Sequence, residues 1–175
     1  MMKVKRIIGM LLVIVAGFLL QSSILPAFGW MNYIPNILVI TVCAFGLTSG
    51  PYYGMLSGVL CGLLMDSVFG HRIGYYSLIF LYMGYLNGIC QKYFFYDNLA
   101  VPLLACGLSD FGLGFYIFVV SFLLRNRTNF PFYMMNMILP ELVSTIVAAL
   151  ILFRIIALIN AKMTELEKRR STKFV

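Results

Sequence analysis

Residues 50–70 read GPYYGMLSGVLCGLLMDSVFG, and glycine recurs in this stretch at intervals of four. Because four residues make slightly more than one helical turn, positions at this spacing form one ridge along a helix. The ridge comprises Gly50, Gly54, Gly58 and Gly62, followed at the same spacing by Asp66 and Gly70. A glycine ridge lets a second helix backbone approach closely, and such contacts drive helix association in lipid. We therefore expect this stretch to be the packing centre of the fold.

A second apolar segment follows the polar turn at residues 67–74, which contains His71 and Arg72. This segment carries Gly84 and Gly88, again four residues apart. The two segments together predict a pair of helices in close contact. The glycine ridge serves either the internal packing of the bundle or contact with a partner helix, and the sequence leaves both roles open.

The composition indicates an integral membrane protein. The chain is 62% hydrophobic and 11% charged, whereas a soluble domain has about 25% charged residues. Its long apolar runs do not alternate with polar residues, so helices rather than a β-barrel satisfy the backbone in lipid. The net charge of +7 is concentrated near the chain ends, which indicates membrane orientation and no nucleic-acid partner.

We predict an all-α fold with six transmembrane helices in a single membrane domain. The predicted spans are residues 5–25, 33–49, 51–69, 73–91, 99–124 and 133–160. The first apolar run exceeds the usual signal-peptide core and no typical cleavage site follows it, so we expect it to be retained. The second span, opened by Pro35, is short. A re-entrant segment is the alternative there.

The distribution of basic residues predicts the orientation of the six spans. One side of the membrane receives Lys3, Lys5, Arg6, Lys92, Lys162, Lys168, Arg169, Arg170 and Lys173, and the other receives Arg72, Arg125 and Arg127. This imbalance places both termini in the cytoplasm. The basic tail, residues 161–175, is expected to bind anionic membrane lipid, and a helical extension that contacts a cytoplasmic partner is the alternative.

Three carboxylates interrupt the apolar spans, namely Asp66, Asp110 and Glu141. Because a charge at the centre of a membrane helix costs about 2.5–3.5 kcal/mol on insertion scales, such residues usually face the bundle interior. Glu141 shares a helix face with Ser144 and Thr145, which predicts an inward polar stripe. Asp66 is expected to pair with Arg72 or to cap the fourth helix.

No arrangement of residues strongly predicts catalysis or metal binding. The sharpest enzyme hypothesis is an intramembrane aspartyl protease in which Asp66 and Asp110 share a proton. The segment Gly107-Leu108-Ser109-Asp110 partly resembles the G-x-G-D motif of such proteases, with serine in place of the second glycine. The cysteines lie in apolar runs and are expected to be packing residues, without disulfides or metal. We predict no catalytic residues, metal site or cofactor.

Short motifs along nearly the whole chain resemble the bacterial rod shape-determining protein MreD family. The matching pieces are Gln21-Ser22-Ser23, Pro35-Asn36, Gly54 to Asp66, Gly70, Gly74-Tyr75-Tyr76-Ser77-Leu78, Gly84-Tyr85 and Pro140-Glu141-Leu142. Each piece is loose, but their order and spacing are specific. The glycine-rich stretch that ends in Asp66 is the most characteristic of them.

The resemblance implies a non-enzymatic subunit of the cell-elongation machinery in the bacterial inner membrane. Such proteins pair with the single-span protein MreC and link the MreB filament to peptidoglycan synthesis by RodA and its transpeptidase. The resemblance also implies a fold similar to the six-helix substrate-binding components of energy-coupling-factor vitamin transporters. A substrate-binding component with a pocket near Asp66 and Glu141 is therefore the alternative function, and a channel or ion-coupled carrier ranks below it.

Overall fold

The structure, a computed structural model, describes residues 2–27, 34–68, 74–93, 100–120 and 133–171. All regular elements in these ranges are helical, which confirms the all-α prediction for this part of the chain. The six main helices are α1 (Met2–Leu19), α2 (Ile37–Ser49), α3 (Pro51–Val68), α4 (Tyr75–Ile89), α5 (Ala100–Phe118) and α6 (Leu139–Ser171). A 3₁₀ turn, Cys90–Tyr93, follows α4.

Within the described ranges, three helical segments are long and apolar enough to cross a membrane by length and composition. They are Arg6–Ala27, Ala100–Phe118 and Met134–Ile155, and Ile37–Ser49 is a shorter apolar helix. At 1.5 Å per residue, the 13 residues of α2 extend about 20 Å, less than the ~30 Å of a hydrocarbon core. The crossing of the membrane by all six helices therefore stays a prediction.

Helix α2 lies at the centre of the bundle. Every residue from Ile37 to Leu47 is buried, which matches a helix that is apolar on all sides. The other five helices all contact α2. Buried side chains from each of them complete the core around it, among them Ile14, Cys61, Phe80 and Phe153. Helices α3 and α4 form the most extensive contact, while α4 and α5 touch at few positions.

Successive helices run in opposite directions. At one end of the bundle, the guanidinium of Arg6 lies 4.2 Å from the ring centroid of Tyr53, joining the start of α1 to the start of α3. Gln91, just after α4, donates a hydrogen bond to the carbonyl of Thr48 near the end of α2. We call this the N-terminal end of the bundle, and the opposite end contains the connection between α3 and α4.

In the described helices, Pro26 and Pro140 each lie two residues after a π-helical segment. The segments are Leu20–Ile24, which extends α1 toward Ala27, and Met134–Ile138, which leads into α6. In each segment a backbone N–H bonds to the carbonyl five residues earlier, from Leu25 to Leu20 and from Leu139 to Met134. The proline follows one residue after that N–H. Because proline lacks an N–H and its ring crowds the preceding turn, a widened turn there lets the helix continue.

The helices differ from the predicted spans at three places. The first span was predicted to close at residue 25, and the helix is described as far as Ala27 through a π-helical segment at Leu20–Ile24. Pro35 precedes α2, which begins at Ile37, instead of lying in its first turn. The last helix extends to Ser171, beyond the predicted end at residue 160, so the start of the basic tail is helical.

Candidate functional site

The glycine ridge of α3 lies directly against the backbone of α4. A Cβ atom built on Gly54, Gly58 or Gly62 would overlap the backbone of Gly84, Phe80 and Ser77, respectively. In the other direction, a Cβ on Gly84 would overlap Gly54, and one on Gly88 would overlap Pro51. The two antiparallel backbones therefore touch without intervening side chains, which glycine permits.

The same spacing of four extends one step earlier than the predicted ridge, to Gly46 on α2. A Cβ on Gly46 would lie 3.0 Å from the Cβ of Asn87 and 3.1 Å from the backbone nitrogen of Gly88. Gly50 is the single residue between α2 and α3 and has a φ of 92°, in the left-handed region that favours glycine. The ridge thus joins three helices, and sequence reasoning missed Gly46 although its spacing identifies it.

Asp66 caps the start of α4. One carboxylate oxygen accepts the backbone N–H of Tyr76 at 2.9 Å. The other accepts the N–H of Gly74 at 2.9 Å, the N–H of Ser77 at 3.1 Å and the Ser77 hydroxyl at 2.7 Å. These N–H groups have no partner inside their own helix, and the negative charge also interacts favourably with the helix dipole. Of the two predicted roles for Asp66, the cap is present, whereas Arg72 lies outside the described residues.

A polar cluster joins α1, α2, α5 and α6 at the same end of the bundle. Gln21 accepts a hydrogen bond from the backbone N–H of Leu38 at 3.0 Å, and its amide nitrogen donates to the Asn36 side chain at 3.4 Å. The backbone N–H of Asn36 donates to the Thr145 hydroxyl at 3.1 Å. The carboxyl of Asp110 lies beside the side chains of Asn36 and Thr145.

Glu141 lies one helical turn before Thr145 on α6. Its backbone carbonyl accepts the hydroxyls of Ser144 at 2.7 Å and Thr145 at 2.9 Å. Thr145 is fully buried, whereas Glu141 and Ser144 are half-buried. The carboxyl groups of Glu141 and Asp110 are close enough to interact electrostatically. The structure thus places the predicted polar stripe of α6 beside the predicted acid of α5.

The neighbours of Asp66 and Asp110 are different. The carboxylate of Asp66 accepts hydrogen bonds from the first turn of α4, whereas the carboxyl of Asp110 lies beside Asn36 and Thr145. Within the described ranges, no contact joins these two carboxyl groups, so the shared proton that the protease hypothesis requires is not formed there. The same ranges contain no group of three or more histidine, cysteine or acidic residues able to hold a metal.

The comparison with family models decides which family this bundle represents. The model of the rod shape-determining protein MreD matches residues 2–162, nearly the whole chain. The chain belongs to the MreD family. This match confirms the resemblance seen in the sequence. Comparisons with curated proteins and with solved structures give no significant match.

The motifs that resemble the MreD family lie in two places in the fold. The piece that contains Gln21, the pair Pro35-Asn36 and the piece that contains Glu141 meet in the polar cluster. The stretch that ends in Asp66 and the one that begins at Gly74 meet at the cap of α4. Segments far apart in the sequence are therefore brought together by hydrogen bonds between helices. Gly70, which completes the predicted ridge, lies outside the described residues.

A further buried polar residue, Asn87, was not singled out from the sequence. Asn87 on α4 donates to the Ser109 hydroxyl on α5 at 2.9 Å, and also to the carbonyl of Met83 at 2.8 Å. The bond to Ser109 joins α4 to α5, two helices that otherwise make few contacts. A lone asparagine in an apolar run is the signal that identifies it, because an amide in a membrane helix normally requires a partner.

Proposed function

We propose that this chain is a non-enzymatic scaffold subunit of the bacterial cell-elongation complex. It pairs with MreC and helps to regulate peptidoglycan synthesis and cell shape. The observation that carries this proposal is the match of residues 2–162 to the MreD family, which implies a role in rod shape determination.

The use of the polar side chains supports a scaffold. The carboxylate of Asp66 accepts hydrogen bonds from the first turn of α4. The carboxyl of Asp110 lies beside Asn36 and Thr145. Asn87 on α4 donates a hydrogen bond to the hydroxyl of Ser109 on α5. These groups fasten helices to one another, so the proposed work of the molecule is to hold membrane helices in a fixed arrangement.

We place the subunit in the bacterial inner membrane with six crossings and both termini in the cytoplasm. The alternating directions of the six helices support this arrangement, because each helix then crosses in the direction opposite to the one before it. After six crossings the chain is back on the side where it began. The short α2 is enclosed by the other helices, and protein rather than lipid therefore surrounds most of it. The excess of basic residues at the N-terminal end of the bundle agrees with the positive-inside rule.

The glycine face is occupied by α4 within the bundle, so the membrane helix of MreC would dock on another surface. Through MreC, the subunit would be linked to MreB, RodA and the transpeptidase that works with RodA. In this arrangement the chain positions partners and transforms no substrate.

The test is a depletion experiment in a rod-shaped bacterium that carries this chain as its sole MreD-family protein. Tagged chain is expected to recover MreC from detergent-solubilised membranes, and depletion of the chain is expected to give rounded cells. The control is a tagged membrane protein of similar size from the same strain. Failure to recover MreC above this control, or unchanged rod shape after depletion, would overturn the proposal.

A further inference from the structure

Helix α6 continues well beyond the N-terminal end of the bundle. The Thr145 hydroxyl lies 3.1 Å from the backbone nitrogen of Asn36, at the start of α2. The two helices run in the same direction, and α2 has 13 residues and ends at Ser49. Because both helices rise 1.5 Å per residue, α6 passes the level of Ser49 at about residue 158. The part of α6 from there to Ser171 lies beyond the bundle.

The edge of the membrane lies close to the same level. The apolar segment Met134–Ile155 has 22 residues, which extend about 33 Å and fill a hydrocarbon core of ~30 Å. Arg154 is exposed at the end of this segment, and Arg6 lies against Tyr53 near the start of α3. A charge inside the hydrocarbon is costly, so both arginines mark its edge. Helix α6 therefore leaves the hydrocarbon at about Ile155.

Beyond the span, α6 keeps its direction. It is one uninterrupted α-helix as far as Ser171 and contains neither proline nor glycine after Pro140. Sharp bends in helices require such residues or a widened turn, and the π-helical segment Met134–Ile138 lies at the other end of the span. Residues 160–171, which we call the extension, thus project away from the membrane surface.

Three consecutive basic residues, Lys168-Arg169-Arg170, lie near the end of the extension. They follow Ile155 at a rise of about 20 Å along the helix axis. The headgroup layer occupies ~5–8 Å of this distance. The attraction of a basic residue to anionic lipid falls off within a Debye length, about 8 Å at physiological ionic strength. Binding of lipid therefore does not account for these charges.

We propose that the extension is a docking arm for a cytoplasmic protein with an acidic surface. The basic run pairs with carboxylates of that protein at a distance from the membrane that a protein reaches and lipid headgroups do not. This proposal rests on the proposed orientation, which places the end of α6 in the cytoplasm. It adds to the pairing with MreC inside the membrane a second contact outside it.

The first part of the test locates the extension. The purified full-length chain carries a fluorophore on S171C, in a C90S background because Cys90 is the exposed cysteine. It is placed in nanodiscs with a quencher on the lipid headgroups, and the same label on N160C is the control. We expect quenching at 160 and none at 171, in neutral and anionic nanodiscs alike. Strong quenching at 171 in anionic nanodiscs would mean that the extension lies on lipid and would overturn the proposal.

The second part searches for the partner in living cells. A photo-crosslinking amino acid replaces Leu166 in the extension, and the control carries it at Leu158, which is 69% exposed. A cytoplasmic protein should crosslink at 166 and not at 158. The crosslink should fall about tenfold in K168A/R169A/R170A, since alanine favours the helix but removes the charge. It should persist in K168R/R169K/R170K. Absence of a crosslinked protein, or a crosslink that does not depend on the charge, would overturn the proposal.

Recovery of MreC separates this proposal from the proposed function. K168A/R169A/R170A should recover MreC as well as the wild-type chain does, because pairing inside the membrane does not use the extension. If the wild-type chain recovers no MreC, the pairing is wrong, while a charge-dependent crosslink at 166 still supports the docking arm. If the alanine variant loses both MreC and the crosslink, the basic run acts through the membrane complex and the docking arm is wrong.

Discussion

Asp66 shows how one side chain can fasten two helices. Its carboxylate, near the end of α3, accepts the backbone N–H groups that α4 leaves unpaired at its start. Those N–H groups would otherwise lie at the edge of an apolar region, where an unmade hydrogen bond is costly. The acid is thus tolerated because it replaces several missing backbone acceptors.

Replacement of Asp66 by alanine removes the cap, and we expect a loss of about 1–2 kcal/mol in the free energy of unfolding. Ser67→Ala is the matched control, because the Ser67 hydroxyl is exposed and donates a hydrogen bond within its own helix, to the carbonyl of Leu63. Unfolding of the purified chain in a denaturing detergent measures both variants. Equal stability of the two variants would show that the cap contributes little.

At the residue scale, local patterns identified some polar groups and missed others. The sequence indicated that Asp66, Asp110 and Glu141 face inward because a charge is costly in lipid. The pairing of Asn36 with Thr145 joins positions 109 residues apart. No spacing rule along one helix relates such positions, so this bond required the three-dimensional structure.

The pair α3 and α4 is the best-defined element of the fold. Its contact depends on close approach of two backbones, and the absence of side chains at Gly54, Gly58 and Gly84 makes that approach possible. The glycine period of four was visible in the sequence, so this face could be predicted. The π-helical segments before Pro26 and Pro140 could not, since proline alone predicts a break or kink.

Even a single added methyl group should be too large at Gly58. A Cβ there would overlap the carbonyl of Phe80, so Gly58→Ala is expected to cost about 1–3 kcal/mol or more in stability. Gly112→Ala is the control, because a Cβ at Gly112 on α5 meets no atom within 4 Å. Melting temperatures in detergent compare them. An unchanged melting temperature for Gly58→Ala would contradict the observed backbone contact.

For the whole molecule, the composition correctly predicted a helical membrane protein, and the residues that resemble the MreD family identified that family. The central position of α2 was not predicted. Its run was recognised as apolar but short, and periodicity cannot distinguish a short enclosed helix from a re-entrant segment. The contacts of α2 with five surrounding helices show that it is enclosed, while its crossing of the membrane stays a prediction.

The proposed orientation predicts that both termini lie in the cytoplasm. Fusion of a reporter that fluoresces only in the cytoplasm should give signal at either terminus, and alkaline phosphatase, which is active only outside it, should be inactive at both. A phosphatase fusion after residue 70, in the connection between α3 and α4, is the positive control. Opposite signals at the two termini would indicate an odd number of crossings.

The central claim is that the buried acids of the spans hold helices together and perform no chemistry. The most direct measurement is the shape of cells in which the double variant D110N/E141Q replaces the wild-type chain, together with its membrane level and its recovery of MreC. The account predicts rod-shaped cells, because the two amides keep polar side chains of the same size in place and the observed hydrogen bonds of Glu141 come from its backbone carbonyl. Rounded cells with a normal level of the variant and normal recovery of MreC would contradict it.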